Sequence, residues 1–310
     1  MTDTGNKAGA RFSLRAALLP LLVLTFAGCD RADQLTSDTS IDAPDAAVNP
    51  SSPSSSGIPF GTFALPTSMY GSIYTGGHVN PERPESLLLR LAEIRGAGAR
   101  VVLALAGGPN NFINADGTFN FDQWKGRVDR YRGIEFTSYI SDGTVLGHYV
   151  IDQPNCSACW GGQAIPPDMV EAMAQYSKSI WPTMTTVVRA DPTWLEGYSG
   201  QYVYLDAGWA QYVARKGTVD SYLAANLAAA QSEGLGLIVG LNLLKGGPDE
   251  SQMSAKQVKA WGATLLGSPY ACAFISWKYE SAYFSRSDIG SAMEFLSSKA
   301  KRHAPSSCQR

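Results

Sequence analysis

Between residues 58 and 310, short apolar runs alternate with stretches whose apolar positions fall three and four residues apart. The runs occupy residues 60–65, 101–106, 145–152, 185–189, 203–212, 237–243 and 273–279. They are rich in β-branched and aliphatic residues and end in turn chemistry such as Gly107-Gly108-Pro109, so they predict strands. The intervening stretches predict helices. Leu87, Leu88, Leu91 and Ile94 form one stripe. Met169, Val170, Met173, Tyr176 and Ile180 form a second, opened by Pro166-Pro167-Asp168. Tyr222, Leu223, Leu227 and Ala230 form a third, stopped by Gly234. Ser254 and Gln257 have the spacing of a capping box ahead of Val258, Trp261 and Leu265.

Strands that alternate with helices imply a parallel sheet. Seven strands are clear, and residues 71–74 are a candidate eighth. No glycine-rich phosphate loop follows the first strand, which removes the usual signal of a dinucleotide-binding fold. A span of about 250 residues suits one large domain. The expected fold is therefore α/β, a single (β/α)8-type TIM barrel over residues 58–310.

The chain ahead of that domain reads differently. Lys7, Arg11 and Arg15 precede an apolar run at residues 16–27, too short to span a bilayer but suited to a signal-peptide core. The run ends in Phe26-Ala27-Gly28-Cys29, which resembles the lipobox of bacterial lipoproteins, with Phe26 where leucine is usual. The resemblance implies a signal peptide at 1–28, lipidation of Cys29 and a lipid-anchored protein of the cell envelope, facing the periplasm or exterior. Residues 29–57 carry Ser, Asp, Ala and Pro with almost no large apolar side chain, the composition of a flexible linker.

Net charge is −2 and the isoelectric point is near 5.9, so there is no electrostatic footprint for nucleic acid. No second apolar span is present, which leaves the lipid as the expected membrane contact. Four cysteines fall in the domain, and an even number in an exported protein predicts two disulfides. The favoured pairs are Cys272–Cys308, pinning the C-terminal tail to the last strand, and Cys156–Cys159, closing a small loop. A thioredoxin-like use of Cys156 and Cys159 would need a helix directly after them, and Trp160-Gly161-Gly162 is loop chemistry instead. No second ligand pair is spaced for zinc, and nothing calls for a cofactor.

In such a barrel chemistry sits on the loops after the strands. Those ends carry Asn110 and Asn111, Asp152 and Gln153, Arg189 and Asp191, Trp209 and Gln211, Asn242, and the run Trp277-Lys278-Tyr279-Glu280. Trp160 and Trp194 fall nearby. Amides and carboxylates give directional hydrogen bonds, and indole rings give flat apolar faces. That mixture suits a saccharide. Alternation along strands refines the choice. With Tyr149 and Ile151 facing the helices, His148, Val150 and Asp152 point into the barrel. With Ser276 facing inward, Lys278 and Glu280 follow it. Gly240 and Asn242 share the inner face of their strand. Asp152 and Glu280 become the candidate carboxylate pair, since glycoside hydrolysis uses two.

The segment Gly147-His148-Tyr149-Val150-Ile151-Asp152-Gln153-Pro154 resembles the strand-end Asp-Glu-Pro pattern of glycoside-hydrolase-like barrels. With Pro59-Phe60-Gly61, Leu103-Ala104-Leu105-Ala106-Gly107-Gly108, Asp142-Gly143-Thr144, Tyr176-Ser177-Lys178, Asn242-Leu243-Leu244-Lys245-Gly246-Gly247 and Ser276-Trp277-Lys278-Tyr279-Glu280, the chain resembles a group of exported bacterial lipoproteins with such barrels. The resemblance covers most of residues 59–308. The resemblance implies the fold; the strand-end residues add the expected action on a poly- or oligosaccharide, with Asp152 as general acid/base and Glu280 as nucleophile or base. Gln153, Arg189, Asn242 and Lys278 would hold substrate, while Trp209 and Trp277 stack on sugar rings. Gln153 stands where the pattern has glutamate, and an amide has no acidic proton to give. Either Asp152 carries the acid role, or the protein binds glycans without cleaving them. A thiol–disulfide protein is the distant alternative.

Overall fold

A computed structural model describes residues 57–310; the signal peptide, Cys29 and nearly all of the linker lie outside the described residues. Eight parallel strands close into a barrel, each hydrogen-bonded to the next and the eighth to the first. They are Phe60–Phe63 (β1), Gly76–Val79 (β2), Arg100–Leu103 (β3), Val145–Asp152 (β4), Thr186–Arg189 (β5), Ala207–Tyr212 (β6), Gly236–Leu241 (β7) and Ala271–Ser276 (β8). The helices are Leu87–Gly96 (α1), Phe121–Asp129 (α2), Thr137–Ser141 (α3), Pro167–Ile180 (α4), Pro192–Leu195 (α5), Val219–Ser232 (α6), Ala255–Leu265 (α7), Ser281–Phe284 (α8) and Ser287–Arg302 (α9). The expected TIM barrel is the fold observed.

The eighth strand is not where the pattern placed it. Residues 71–74 form a turn, and β2 lies at Gly76–Val79, whose sequence Gly-Gly-His-Val carries little strand signal. Only the 3-10 turn Thr67–Met69 joins β1 to β2. The capping box is present: Ser254 Oγ accepts from Gln257 N while the Gln257 side chain accepts from Ser254 N. The left-handed Gly234 (φ 63°) ends α6 as expected.

Two apolar layers result. Outward strand residues such as Phe60, Leu103, Val188 and Val239 pack with Leu87, Leu91, Met173 and Leu296 of the helices. A smaller cluster fills the barrel interior with Phe63, Val102, Tyr149, Val187, Trp209, Ile238 and Ile275. Gly240 takes the same face as Ile238, where a Cβ would strike the Ile275 carbonyl oxygen at 2.0 Å. Large indoles opposite small residues fill the taper. Loop 203–205 is fixed by one buried carboxylate: Glu171 of α4 accepts from Val203 N, Tyr204 N and Leu205 N at 2.7, 2.8 and 2.9 Å.

Both expected disulfides are formed, Cys156–Cys159 and Cys272–Cys308. They differ in access. Cys272 is 1% and Cys308 3% exposed, while Cys156 and Cys159 sit on a surface loop. The Cys272–Cys308 loop spans 36 residues, so by chain-entropy reasoning it stabilises the fold by on the order of 3–4 kcal/mol. Mild reductant is expected to open Cys156–Cys159 first, with little loss of stability. Opening Cys272–Cys308, or changing Cys308→Ser, is expected to lower the urea midpoint markedly; equal midpoints in the two forms refute that assignment.

Candidate functional site

The strand ends converge on Arg189, the last residue of β5, which is 6% exposed. Its Nε donates to Asp152 Oδ1 at 2.5 Å, and its Nη1 donates to Gln211 Oε1 in a short hydrogen bond. The guanidinium also lies 4.7 Å from the centroid of the Trp277 ring and 5.5 Å from that of Phe63. Four parts of the barrel, β4, β6, β1 and the segment after β8, thus hold one cation by a charge-assisted bond, an amide and two aromatic faces.

Around this centre several buried polar atoms have no protein partner among the described residues: His78 Nε2, Tyr149 Oη and Gln211 Nε2. His78 stacks on Phe63 with centroids 4.2 Å apart and meets Tyr149 edge-on at 4.8 Å. Burial pushes the His78 imidazole down to about 3, and the positive Arg189 adds to the effect. Burial pushes the Tyr149 phenol well above its ordinary value, and the Asp152 charge adds to it. Both groups are therefore neutral at neutral pH. They offer hydrogen bonds rather than charge.

Above Arg189 lies a pocket of about 70 Å³ lined by Gln153, Asn155, Asp191, Gln211, Lys216 and Asn242, among others. Asp191 is bound on two sides, by Lys216 Nζ at 2.5 Å and by the Tyr222 hydroxyl at 2.7 Å. Asn242 Oδ1 accepts from Lys245 N at 3.1 Å, bracing the loop after β7. Gln153 has φ of 43°, the left-handed region that residues bearing a Cβ adopt at a cost. It is held there because its N–H donates to Arg189 O while its own carbonyl accepts from Cys156 N and from Trp160 Nε1.

Strand alternation requires two corrections. Tyr149 faces inward and His148 outward, where His148 Nδ1 meets Ser177 Oγ of α4 at 2.8 Å. A register shift between Tyr149 and Ile151 then resets the alternation, so Asp152 still reaches the mouth. On β8, Ile275 and Trp277 line the interior, while Ser276 Oγ accepts from Leu241 N. The residues after it turn away accordingly. Glu280 caps α8, its two oxygens accepting from Ala282 N at 3.2 Å and Tyr283 N at 2.8 Å. Lys278 is exposed. No hydrogen bond or ion pair among the described residues links Glu280 to the Arg189–Asp152 centre, and Asp152 and Glu280 share no partner.

Trp209 is also placed differently from the expectation. It is 0% exposed, with Nε1 donating to Ile275 O at 3.1 Å, and it plugs the barrel rather than offering a free face. Trp160 is likewise 1% exposed, stacked on Phe112. Trp277 alone of the two proposed stacking indoles is partly open. His78, Tyr149, Phe63 and Lys216 belong to the centre and were not singled out by the sequence. Among the described residues no group of three His, Cys, Asp or Glu is placed to hold a metal ion, and no helix is long and apolar enough to cross a membrane.

Known structures share this barrel. An endo-β-1,4-mannanase from Thermotoga petrophila superposes with a TM-score of 0.51 at 11% identity, over 78% of this chain and 76% of the mannanase. A β-glucanase from Saccharophagus degradans gives 0.50 at 11% identity, over 79% and 88% of the two chains. A cellulase solved in complex with an inhibitor gives 0.54 at 10% identity, over 77% and 92%. At such identities the likeness is one of fold. No family model matches the chain, and no curated protein matches it in sequence.

The buried histidines set an acid limit. Burial holds both His78 and His148 down to about 3, against about 6.5 in an unfolded chain. The folded state therefore binds fewer protons between those values. Their contribution is complete above pH 6.5 and is lost as pH falls toward 3. The urea midpoint is expected to drop between pH 6.5 and 4, and to drop less in the double variant His78→Gln, His148→Gln. Parallel profiles for the two proteins contradict this.

Proposed function

We propose that this protein binds a poly- or oligosaccharide at the bacterial cell envelope, tethered through a lipid on Cys29, without assembling the two-carboxylate machinery of hydrolysis. The observation that carries the reading is the cluster of amides around Arg189 at the barrel mouth, Gln153, Asn155, Gln211 and Asn242, with the half-buried Trp277 ring 4.7 Å from the same guanidinium. Amides donate and accept toward hydroxyls, and an indole face meets the C–H face of a sugar ring. The shared fold with a mannanase, a β-glucanase and a cellulase supports the substrate class.

Three features favour binding over cleavage. The Asp152 carboxylate is engaged by the Arg189 guanidinium, whose Nε donates to its Oδ1. Glu280 is occupied as a helix cap. Gln153 stands in place of an acid. The hydrolytic reading rests on one observation: the Asp152 side chain is 31% exposed and so reachable by substrate. In that reading Asp152 serves as general acid/base and Glu280 would have to leave its cap.

The test is a glycan array with the detergent-solubilised full chain, followed by calorimetry and assay of reducing ends on each ligand found. Saturable binding with no new reducing ends is expected. Trp277→Ala is expected to weaken it about tenfold, or ~1.4 kcal/mol. Release of reducing ends that Asp152→Asn abolishes while sparing binding, or that Gln153→Glu increases, establishes hydrolysis instead. Binding to no glycan at all sinks both readings. Separately, Cys29→Ser is expected to release the protein from membranes, and unchanged partitioning excludes the lipid anchor.

A further inference from the structure

The barrel has a second polar cavity at the end opposite its mouth. Residues 303–310 leave α9 and cross the barrel floor. Cys308 is bonded to Cys272 and packs with the barrel interior. His303 Nε2 meets Ser268 O at 2.8 Å, Ser306 Oγ donates to Tyr270 O at 3.3 Å, and Arg310 N donates to Asp206 Oδ1 at 3.3 Å. Between this fixed tail and the starts of β3, β4 and β5 lies a cavity of about 410 Å³. Small-molecule sites fall at about 300–1,000 Å³. Arg100, Thr183, Thr185, Ser306, Ser307 and Gln309 supply its polar lining.

Arg100 is the one charged residue among those that line it. Its Nη2 donates to Gly57 O at 3.1 Å, and no carboxylate pairs with it among the described residues. By contrast Arg95, five residues earlier, is matched to Asp142 at 2.6 Å, and Arg189 at the mouth is matched to Asp152. Burial lowers the Arg100 pKa with no acidic neighbour to oppose it. A partly buried guanidinium without an anion is costly, and its free N–H groups match a planar or tetrahedral oxyanion. The surrounding hydroxyls suit the polar body such a group would be attached to.

We propose that this floor cavity binds a small polar molecule bearing a carboxylate or phosphate, which Arg100 pairs with while Thr183, Thr185 and Ser306 hold its polar body. The site shares no residue with the mouth and does not depend on the saccharide reading. The Cys272–Cys308 bond shapes one wall, because it fixes the tail that carries Ser306 and Ser307.

The experiment is calorimetry on the full chain at matched ionic strength, with inorganic phosphate, glucose 6-phosphate, glucuronate and neutral glucose as probes. Saturation by the phosphate probes alone identifies a phosphate site, and saturation by glucuronate alone a carboxylate site. Glucose is expected not to compete with either. Arg100→Gln and Thr183→Val are each expected to weaken the anion at least about tenfold, while Trp277→Ala leaves it unchanged. Thr183 is exposed, so its variant keeps the test decisive if Arg100→Gln unfolds the chain. No saturation by any anion, or saturation unaltered in both variants, overturns the proposal. So does tight binding of glucose that equals that of the charged probes.

Discussion

A guanidinium lodged at the top of an aromatic-lined barrel has to be neutralised where it stands, and much of the mouth is arranged to do this. Arg189 is almost fully removed from water, so an unpaired charge there would cost several kcal/mol. Asp152 supplies the countercharge, Gln211 accepts a second N–H, and the Trp277 and Phe63 faces cover the plane. Each partner comes from a different strand. The pair therefore ties the registers of β4, β5 and β6 together at their C-terminal ends.

The fold was legible because the physics that builds it is periodic. Aliphatic runs ending in Gly and Pro mark strands β1 and β3–β8, and stripes three and four apart mark α1, α4, α6 and α7. β2 and the helices α2, α3, α5, α8 and α9 were not marked by such signals. β2 is Gly-Gly-His-Val, with no β-branched run, and is held by its neighbours on both sides. α9 carries a stripe at Ile289, Met293, Leu296 and Ala300 that packs inward. The disulfides were readable from number and position alone.

The mouth was less legible, for a reason specific to strand ends. Alternation is reliable only while the pleat is regular, and β4 carries a bulge after Tyr149. Asp152 reached the mouth because one extra residue compensated for the wrong starting face. On β8 nothing compensated. The small Ser276 read as an inner residue, yet barrels also put small residues outside, where its hydroxyl serves the β7 backbone. That exchange turns Trp277 inward and leaves Glu280 to cap a short helix. The inward Tyr149 and His78 were obscured in the same way, since a phenol and an imidazole beside apolar neighbours give no sign of which layer they join.

Gly57, whose carbonyl receives Arg100, lies at the floor of the barrel, beside the C-terminal end of α9. Whatever precedes it in the chain attaches at that pole. A group joined just ahead of Gly57 therefore enters at the pole away from Arg189, and the strand ends of the mouth stay clear of that junction.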